Sequence, residues 1–243
     1  MSAMHSVVQG DILTAKLDLG GRGEVDLVYI DPPFNSDNDF GHYKDQWPSM
    51  EAYIDFMTPR IVRCFGMLKD GGNLLVHVDW RASHYLKVIL DELIGYENFH
   101  NEIVWQYNSG GASKNHLSRK HDTILWWSKG PGYTFNVLRE PYATPNVQGR
   151  PGFHSDGRML TDVWRIPFIS TTSKERSGYP TQKPLKLLER VVNVFSEPGD
   201  LVLDGFCGSG TTGVASKLNG RDCLLVDESP KAVKVARKRL AEA

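Results

Sequence analysis

Leu201-Val-Leu-Asp204-Gly-Phe-Cys-Gly-Ser-Gly210-Thr-Thr-Gly213 is an apolar run that ends on an acid and passes into a glycine-rich turn. Within it, Gly208-Ser209-Gly210-Thr211-Thr212-Gly213 fits G-x-G-x-x-G, placed after a strand and before a helix. Asp227 follows at the end of the next apolar run, near the spacing of a ribose-binding acid. Glycine belongs in such a turn because a side chain would bar a nucleotide from the backbone. The carboxylate belongs there because it accepts hydrogen bonds from both ribose hydroxyls. The motif alone fits a NAD-binding fold equally well, so its position has to decide. Thirty residues follow Gly213, enough for one further strand and one helix. The other strands of a nucleotide-binding sheet must therefore come from upstream. The expected fold is α/β: a mostly parallel Rossmann-like sheet with helices on both faces, in permuted order, with its cofactor half C-terminal. A typical dehydrogenase begins with its glycine turn, which counts against that reading.

The chain has 243 residues and ordinary composition, which suits one α/β domain over residues 1–243 with loop insertions. No apolar stretch approaches the roughly 18 residues needed to span a bilayer, so no membrane association is expected. The first ten residues carry no basic-then-apolar secretion signal. Cys64, Cys207 and Cys223 form no CxxC pair, so neither a disulfide framework nor a metal site is expected, and the reading is a reduced, cytoplasmic protein. The net charge of -1 hides an asymmetry. From Trp105 to Arg190 there are thirteen Lys/Arg against six Asp/Glu, a surplus of +7 that leaves -8 elsewhere. A basic middle on an acidic body suits a polyanion-binding surface.

Short apolar runs alternate with segments of helical period, the α/β pattern. Strands are expected at 6–8, 25–30, 73–78, 102–107, 123–127, 201–204 and 221–226. A helix from Ser49 to Leu68 has Ser49 as N-cap, Gly71-Gly72 as its stop and Pro59 as a kink or break. A second, from Arg81 to Leu93, places Tyr85, Leu86, Ile89, Leu90 and Leu93 on one face. Two more open at Pro184 and at Ser229-Pro230, with proline in the first turn. The segments 35–47 and 137–181 lack periodicity, and loops of that length are commonly functional.

Asp31-Pro32-Pro33-Phe34 closes the apolar run Val25–Ile30. With it, the chain resembles the β-group of DNA amino-methyltransferases, in which the catalytic motif precedes the cofactor motif. Asp31-Pro-Pro-Phe34 resembles that family's D-P-P-[YF], and Asp204-Gly-Phe-Cys-Gly-Ser-Gly-Thr-Thr212 its D-P-F-x-G-S-G-T-T. Tyr179-Pro-Thr-Gln-Lys-Pro184, Gln9-Gly10-Asp11-Ile12 and His121-Asp-Thr-Ile-Leu-Trp126 match further family segments. Gly205 departs from the usual proline and is expected to loosen the turn. The resemblance implies S-adenosylmethionine as cofactor, held by Asp11, Ile12, Lys183, Asp204, Phe206, Gly208, Ser209, Gly210, Thr211 and Asp227. Asp11 would lie near the adenine, and Lys183 would attract the methionine carboxylate.

An exocyclic base amine is a poor nucleophile because its lone pair is delocalised into the ring. Asp31 can accept one of its N–H groups and stabilise the positive charge that grows as the methyl arrives, while the Pro32 carbonyl accepts the other. Pro32 and Pro33 stiffen the backbone and aim that carbonyl beforehand. Phe34 offers a face for an extruded base. Cys207 is expected to pack in the turn and not to react. DNA contacts are expected from Tyr43 and Trp47 in the first irregular segment. In 137–181, read as the target-recognition insertion, they are expected from Arg139, Arg150, Arg158, Arg165, Lys174 and Arg176. Trp105, Trp126, Trp127 and Trp164 are read as packing residues. Asp at the head of the tetrapeptide accompanies adenine in this family, which favours N6-adenine methylation of DNA. N4-cytosine methylation is the alternative, with a non-catalytic DNA-binding relative and a NAD-linked oxidoreductase further behind. The recognition stretch is short, which hints at a short target site, a homodimer or reliance on a partner, and a cognate restriction enzyme is left open.

Overall fold

The computed structural model describes residues 4–39, 44–108, 112–144, 147 and 150–243. Its strands are β1 (His5–Gln9), β2 (Val25–Ile30), β3 (Asn38–Asp39), β4 (Lys44–Asp45), β5 (Leu68–Val78) and β6 (Phe99–Gln106). They continue with β7 (His121–Ser128), β8 (Arg139–Glu140), β9 (Arg158–Met159), β10 (Val163–Arg165), β11 (Leu201–Asp204) and β12 (Asp222–Asp227). Its α-helices are α1 (Met50–Gly66), α2 (Ser83–Ile94), α3 (Leu185–Phe195), α4 (Thr211–Leu218) and α5 (Pro230–Glu242). One eight-stranded sheet runs β1-β12-β11-β2-β5-β7-β6-β10, with β3-β4 and β8-β9 as separate short hairpins. β7 pairs antiparallel with β5 and β6, and every other pairing in the large sheet is parallel.

Alternation along β2 explains the layers. Val28 and Ile30 face a core closed by α1 and α2, whereas Leu27 and Tyr29 face one closed by α3 and Ala215 of α4. A third cluster packs α5 residues Val233, Ala236 and Leu240 on Val7, Cys223 and Leu225. The four predicted tryptophans are buried, as is Cys207.

Three local expectations change. α1 stops at Gly66, where the Met67 N–H caps carbonyls of the last turn, and Gly71-Gly72 lie inside β5. Pro59 does not break α1, and Ser49 caps it through a hydrogen bond from the Ala52 N–H. In α2 the buried apolar stripe is Leu86, Leu90 and Ile94, four residues apart, while Tyr85 and Leu93 stand in solvent. No helix among the described residues is long and apolar enough to cross a membrane.

Candidate active site

β2 and β11 are adjacent and parallel, with Leu27 opposite Val202 and Val28 opposite Leu203. Their carboxyl ends therefore emerge side by side, and so do the two sequence motifs that follow them. Asp31-Pro32-Pro33-Phe34 and residues Asp204 to Ser209 line one cavity of about 490 Å³, joined by Asp11, Ile12, Lys183, Thr211 and Asp227. This is the crevice beyond the carboxyl ends of the strands where open α/β sheets take their ligands.

The cofactor-type turn is braced from behind. Asp227 accepts the Gly208 N–H and the Ser229 N–H, each at 2.8 Å. Arg239, reaching from α5, donates through Nη1 to the Ser209 carbonyl at 2.9 Å and to the Thr211 hydroxyl at 2.8 Å. The Ser209 and Thr211 side chains thus hold the loop in shape. Gly210 has φ of +75°, and a Cβ there would lie 2.7 Å from the Ala236 Cβ, so α5 approaches closely only because the position is glycine.

Asp204 is buried and accepts from the Thr212 hydroxyl at 2.5 Å and from the Phe206 N–H at 3.0 Å. Burial pushes its carboxyl up to about 7, and the negative charges of Asp31 and Asp227 add to this against the opposing hydrogen bonds.

Gly205 packs closely against Ile12. A Cβ there would stand 2.9 Å from Ile12 Cγ1 and 3.2 Å from Ile12 Cβ, so Ile12 fills the space of a larger residue. Gly205→Ala is therefore expected to destabilise the fold by about 1–3 kcal/mol through overpacking. Combined with Ile12→Ala, the total loss should fall short of the two single losses added, which a double-mutant cycle of denaturant unfolding will read.

Asp11 has a carboxylate already engaged. Arg60, buried in α1, donates to it through Nε at 3.0 Å and through Nη2, and the Leu13 N–H adds a third bond at 2.9 Å. Lys183 lines the cavity but does not stand open to an anion. Its ammonium donates to Asp31 Oδ1 at 2.7 Å and lies 4.8 Å above the Phe34 ring. That pairing leaves Asp31 Oδ2 without a protein hydrogen bond among the described residues. The Pro33 carbonyl accepts from the buried Tyr53 hydroxyl at 2.9 Å, which pins the tetrapeptide from below.

The expected DNA contacts fare unevenly. Tyr43 lies outside the described residues. Trp47 packs edge-on against Tyr53, with ring centroids 5.1 Å apart. Arg139 donates to the Gly157 carbonyl and Arg158 pairs with Glu140, so both are engaged in holding the β8-β9 pair together, although the Arg158 side chain remains 40% exposed. Arg150, Arg165, Lys174 and Arg176 are exposed.

A group that the motifs did not indicate sits beneath the tetrapeptide. His77 is fully buried in β5, and its Nδ1 is 2.7 Å from the Tyr29 hydroxyl. The signal available in sequence was a lone histidine inside the apolar run Leu74–Val78.

Known proteins resemble this chain along most of its length. A sequence model of a family described as DNA methylase matches residues 25–238. The Type II methyltransferase M.HpaI of Haemophilus parainfluenzae is 31% identical over 220 residues, covering 90% of this chain and 69% of that protein. The DNA adenine methyltransferase YhdJ of Escherichia coli strain K12 is 28% identical over 246 residues, covering 97% and 82%. Among solved structures, the PvuII DNA methyltransferase (cytosine-N4-specific) superposes with a TM-score of 0.72 at 19% identity, over 98% of this chain and 86% of that one. The M1.HpyAVI complex with S-adenosylmethionine gives 0.68 at 22% identity, over 98% and 99%. The fold is thus that of the S-adenosylmethionine-dependent methyltransferases. A permuted sheet that sets a D-P-P-F tetrapeptide against a glycine turn in one cavity agrees with the family match, and the chain belongs to the N6/N4 DNA methylase family.

Proposed function

We propose that this chain transfers a methyl group from S-adenosylmethionine to the N6 amine of adenine in DNA. The observation that carries the reading is the meeting of Asp31 and the glycine turn in a single cavity. The residues fit the cofactor. The cavity has the volume of a small-molecule site, with apolar walls from Ile12, Phe56, Tyr179 and Phe206 and acids at Asp11, Asp204, Asp227 and Glu228. Asp227 stands at the end of β12 where a ribose would be held. Asp204 supplies negative charge suited to a cationic ligand. When bound, the cofactor supplies an activated methyl on a sulfonium.

The protein's own part is positioning and electrostatics. Asp31 Oδ2 accepts an N–H of the target amine and stabilises the charge that develops on nitrogen. Lys183, paired to Oδ1 at 2.7 Å, holds the carboxylate oriented. Phe34 stacks on the extruded base. Residues 1–243 act as one methyltransferase unit on this reading, with 137–181 as the target-recognition insertion and Arg150, Arg165, Lys174 and Arg176 contacting phosphates.

Adenine is favoured over cytosine because the tetrapeptide begins with Asp, and because YhdJ, similar over nearly the whole chain, is a DNA adenine methyltransferase. The PvuII enzyme, similar in fold, is cytosine-N4-specific. Unmodified DNA incubated with the protein and S-adenosylmethionine, then digested to nucleosides, should yield N6-methyladenine. N4-methylcytosine in its place would overturn the base assignment. In a thermal-shift comparison, S-adenosylmethionine should raise the Tm and NAD should leave it unchanged.

A further inference from the structure

His77 is the one fully buried histidine among the described residues, and it lies where three functional elements converge. It occupies β5, whose Val76 pairs with Ile30 of β2, directly below the point where the catalytic tetrapeptide leaves the sheet. Its Nδ1 is 2.7 Å from the Tyr29 hydroxyl and 3.9 Å from Asp31 Oδ1. Its Nε2 lies 3.4 Å from Asp122 Oδ2 on β7 but makes no hydrogen bond there or to any other described residue. The Phe34 ring packs at 5.8 Å between centroids, tilted by 39°, and the Trp105 ring closes the other side edge-on at 5.4 Å. Asp122 is itself fixed by the Tyr107 hydroxyl of the loop after β6, at 2.9 Å.

A buried imidazole is oriented by the hydrogen bond its ring nitrogen makes and by the charges beside it. Its one hydrogen bond among the described residues joins Nδ1 to the Tyr29 hydroxyl at 2.7 Å, while Nε2 faces the Asp122 carboxylate without bonding to it. The Tyr29 side chain is thereby fixed in the wall of the catalytic cavity. The ring also supports Phe34 and borders Asp31, so both reacting-end residues of the tetrapeptide rest on one polar side chain. An apolar residue would have filled the same volume in this apolar strand at no desolvation cost. The polar choice needs a reason, and orientation of the site supplies one.

We propose that His77, bonded to Tyr29 and bordered by Asp122, is a positioning residue for methyl transfer. Through Tyr29 and Phe34 it fixes the placement of Asp31 and of the target base, without touching the cofactor. The proposal rests on the reading of Asp31 as the residue that receives the target amine.

The test is single-turnover methyl transfer to duplex DNA at saturating S-adenosylmethionine, with cofactor affinity measured separately by calorimetry. His77→Leu should slow the transfer step by about 100-fold, the scale of a misplacement near 1 Å, with cofactor affinity little changed. His77→Gln, which restores a polar group toward Asp122, should recover much of that loss. Asp122→Asn, at the rim of the cluster, should slow transfer in the same direction, and it decides the matter if His77→Leu does not fold. Wild-type transfer rates in His77→Gln and Asp122→Asn together with an unaffected His77→Leu would overturn the proposal, and so would rate and cofactor affinity falling in parallel. Asp31→Ala in the same assay separates the two levels. Full transfer in that variant removes the underlying reading, whereas an inactive Asp31→Ala beside unaffected His77 and Asp122 variants removes this proposal alone.

Discussion

Asp31→Ala is expected to lower the rate of methyl transfer on the order of 10²–10³-fold while S-adenosylmethionine still binds. On the proposed reading the carboxylate meets charge that develops on the amine only as the methyl arrives, so its loss raises the barrier and not the cofactor's dissociation constant. Oδ1 is occupied by Lys183 at 2.7 Å, which on this reading leaves Oδ2 for the target amine. Asp31→Asn adds a finer comparison. It keeps the shape and one oxygen acceptor but loses the charge, and its rate should fall between the wild type and Asp31→Ala. Single-turnover kinetics on duplex DNA and a calorimetric titration with the cofactor are the two measurements. Unchanged turnover in Asp31→Ala would refute the mechanism.

The second large effect is one of pH. Burial holds the Asp204 carboxyl near 7, against an ordinary value of 3.8, so the ligand-free protein carries it partly protonated at neutral pH. Because the folded state binds this proton more tightly than the unfolded chain, the contribution of Asp204 to stability falls as pH rises from about 4 to 7. A cationic ligand in the same cavity favours the ionised form. Binding should therefore release a proton near pH 7, and cofactor affinity should weaken by up to about tenfold per pH unit on acidification below 7. Calorimetry in buffers of different ionisation enthalpy will count the proton. Asp204→Asn should flatten the pH dependence, weaken binding at pH 8 and stabilise the ligand-free protein there. A pH-independent wild-type affinity between 5.5 and 8 would refute the linkage.

The sequence was most legible where chemistry is written in consecutive residues. Val25–Ile30 with its tetrapeptide, Leu201–Asp204 with its glycine turn, and Asp227 all fall where expected, and the order of the two motifs agrees with the strand order of the sheet. What escaped depends on partners brought from afar. Charge counting could not tell that Glu140 lies opposite Arg158, or that Asp31 lies opposite Lys183. Apolar periodicity selected Tyr85 and Leu93 in α2, although only the stripe at spacing four meets the sheet. Gly205 looked like a loss until Ile12 was seen in the space it leaves. His77 gave one weak sign, a polar residue in an apolar strand, and its meaning needed both neighbouring strands in place.

The pairing of β2 with β11 also bears on how the protein comes into being. Asp26, inside β2, accepts the Leu201 N–H from a point 175 residues further along. During synthesis at about 5–20 residues per second, β2 can take β5 as a neighbour early, but its other edge waits on the order of ten to thirty seconds for β11 to emerge. Throughout that interval an apolar strand with open backbone groups faces the cell, a template for unwanted pairing. The arrangement that unites the two halves of the site makes folding slow and dependent on distant closure. Yield in an expressing cell should therefore respond to temperature and chaperone supply more than the stability of the finished protein would indicate.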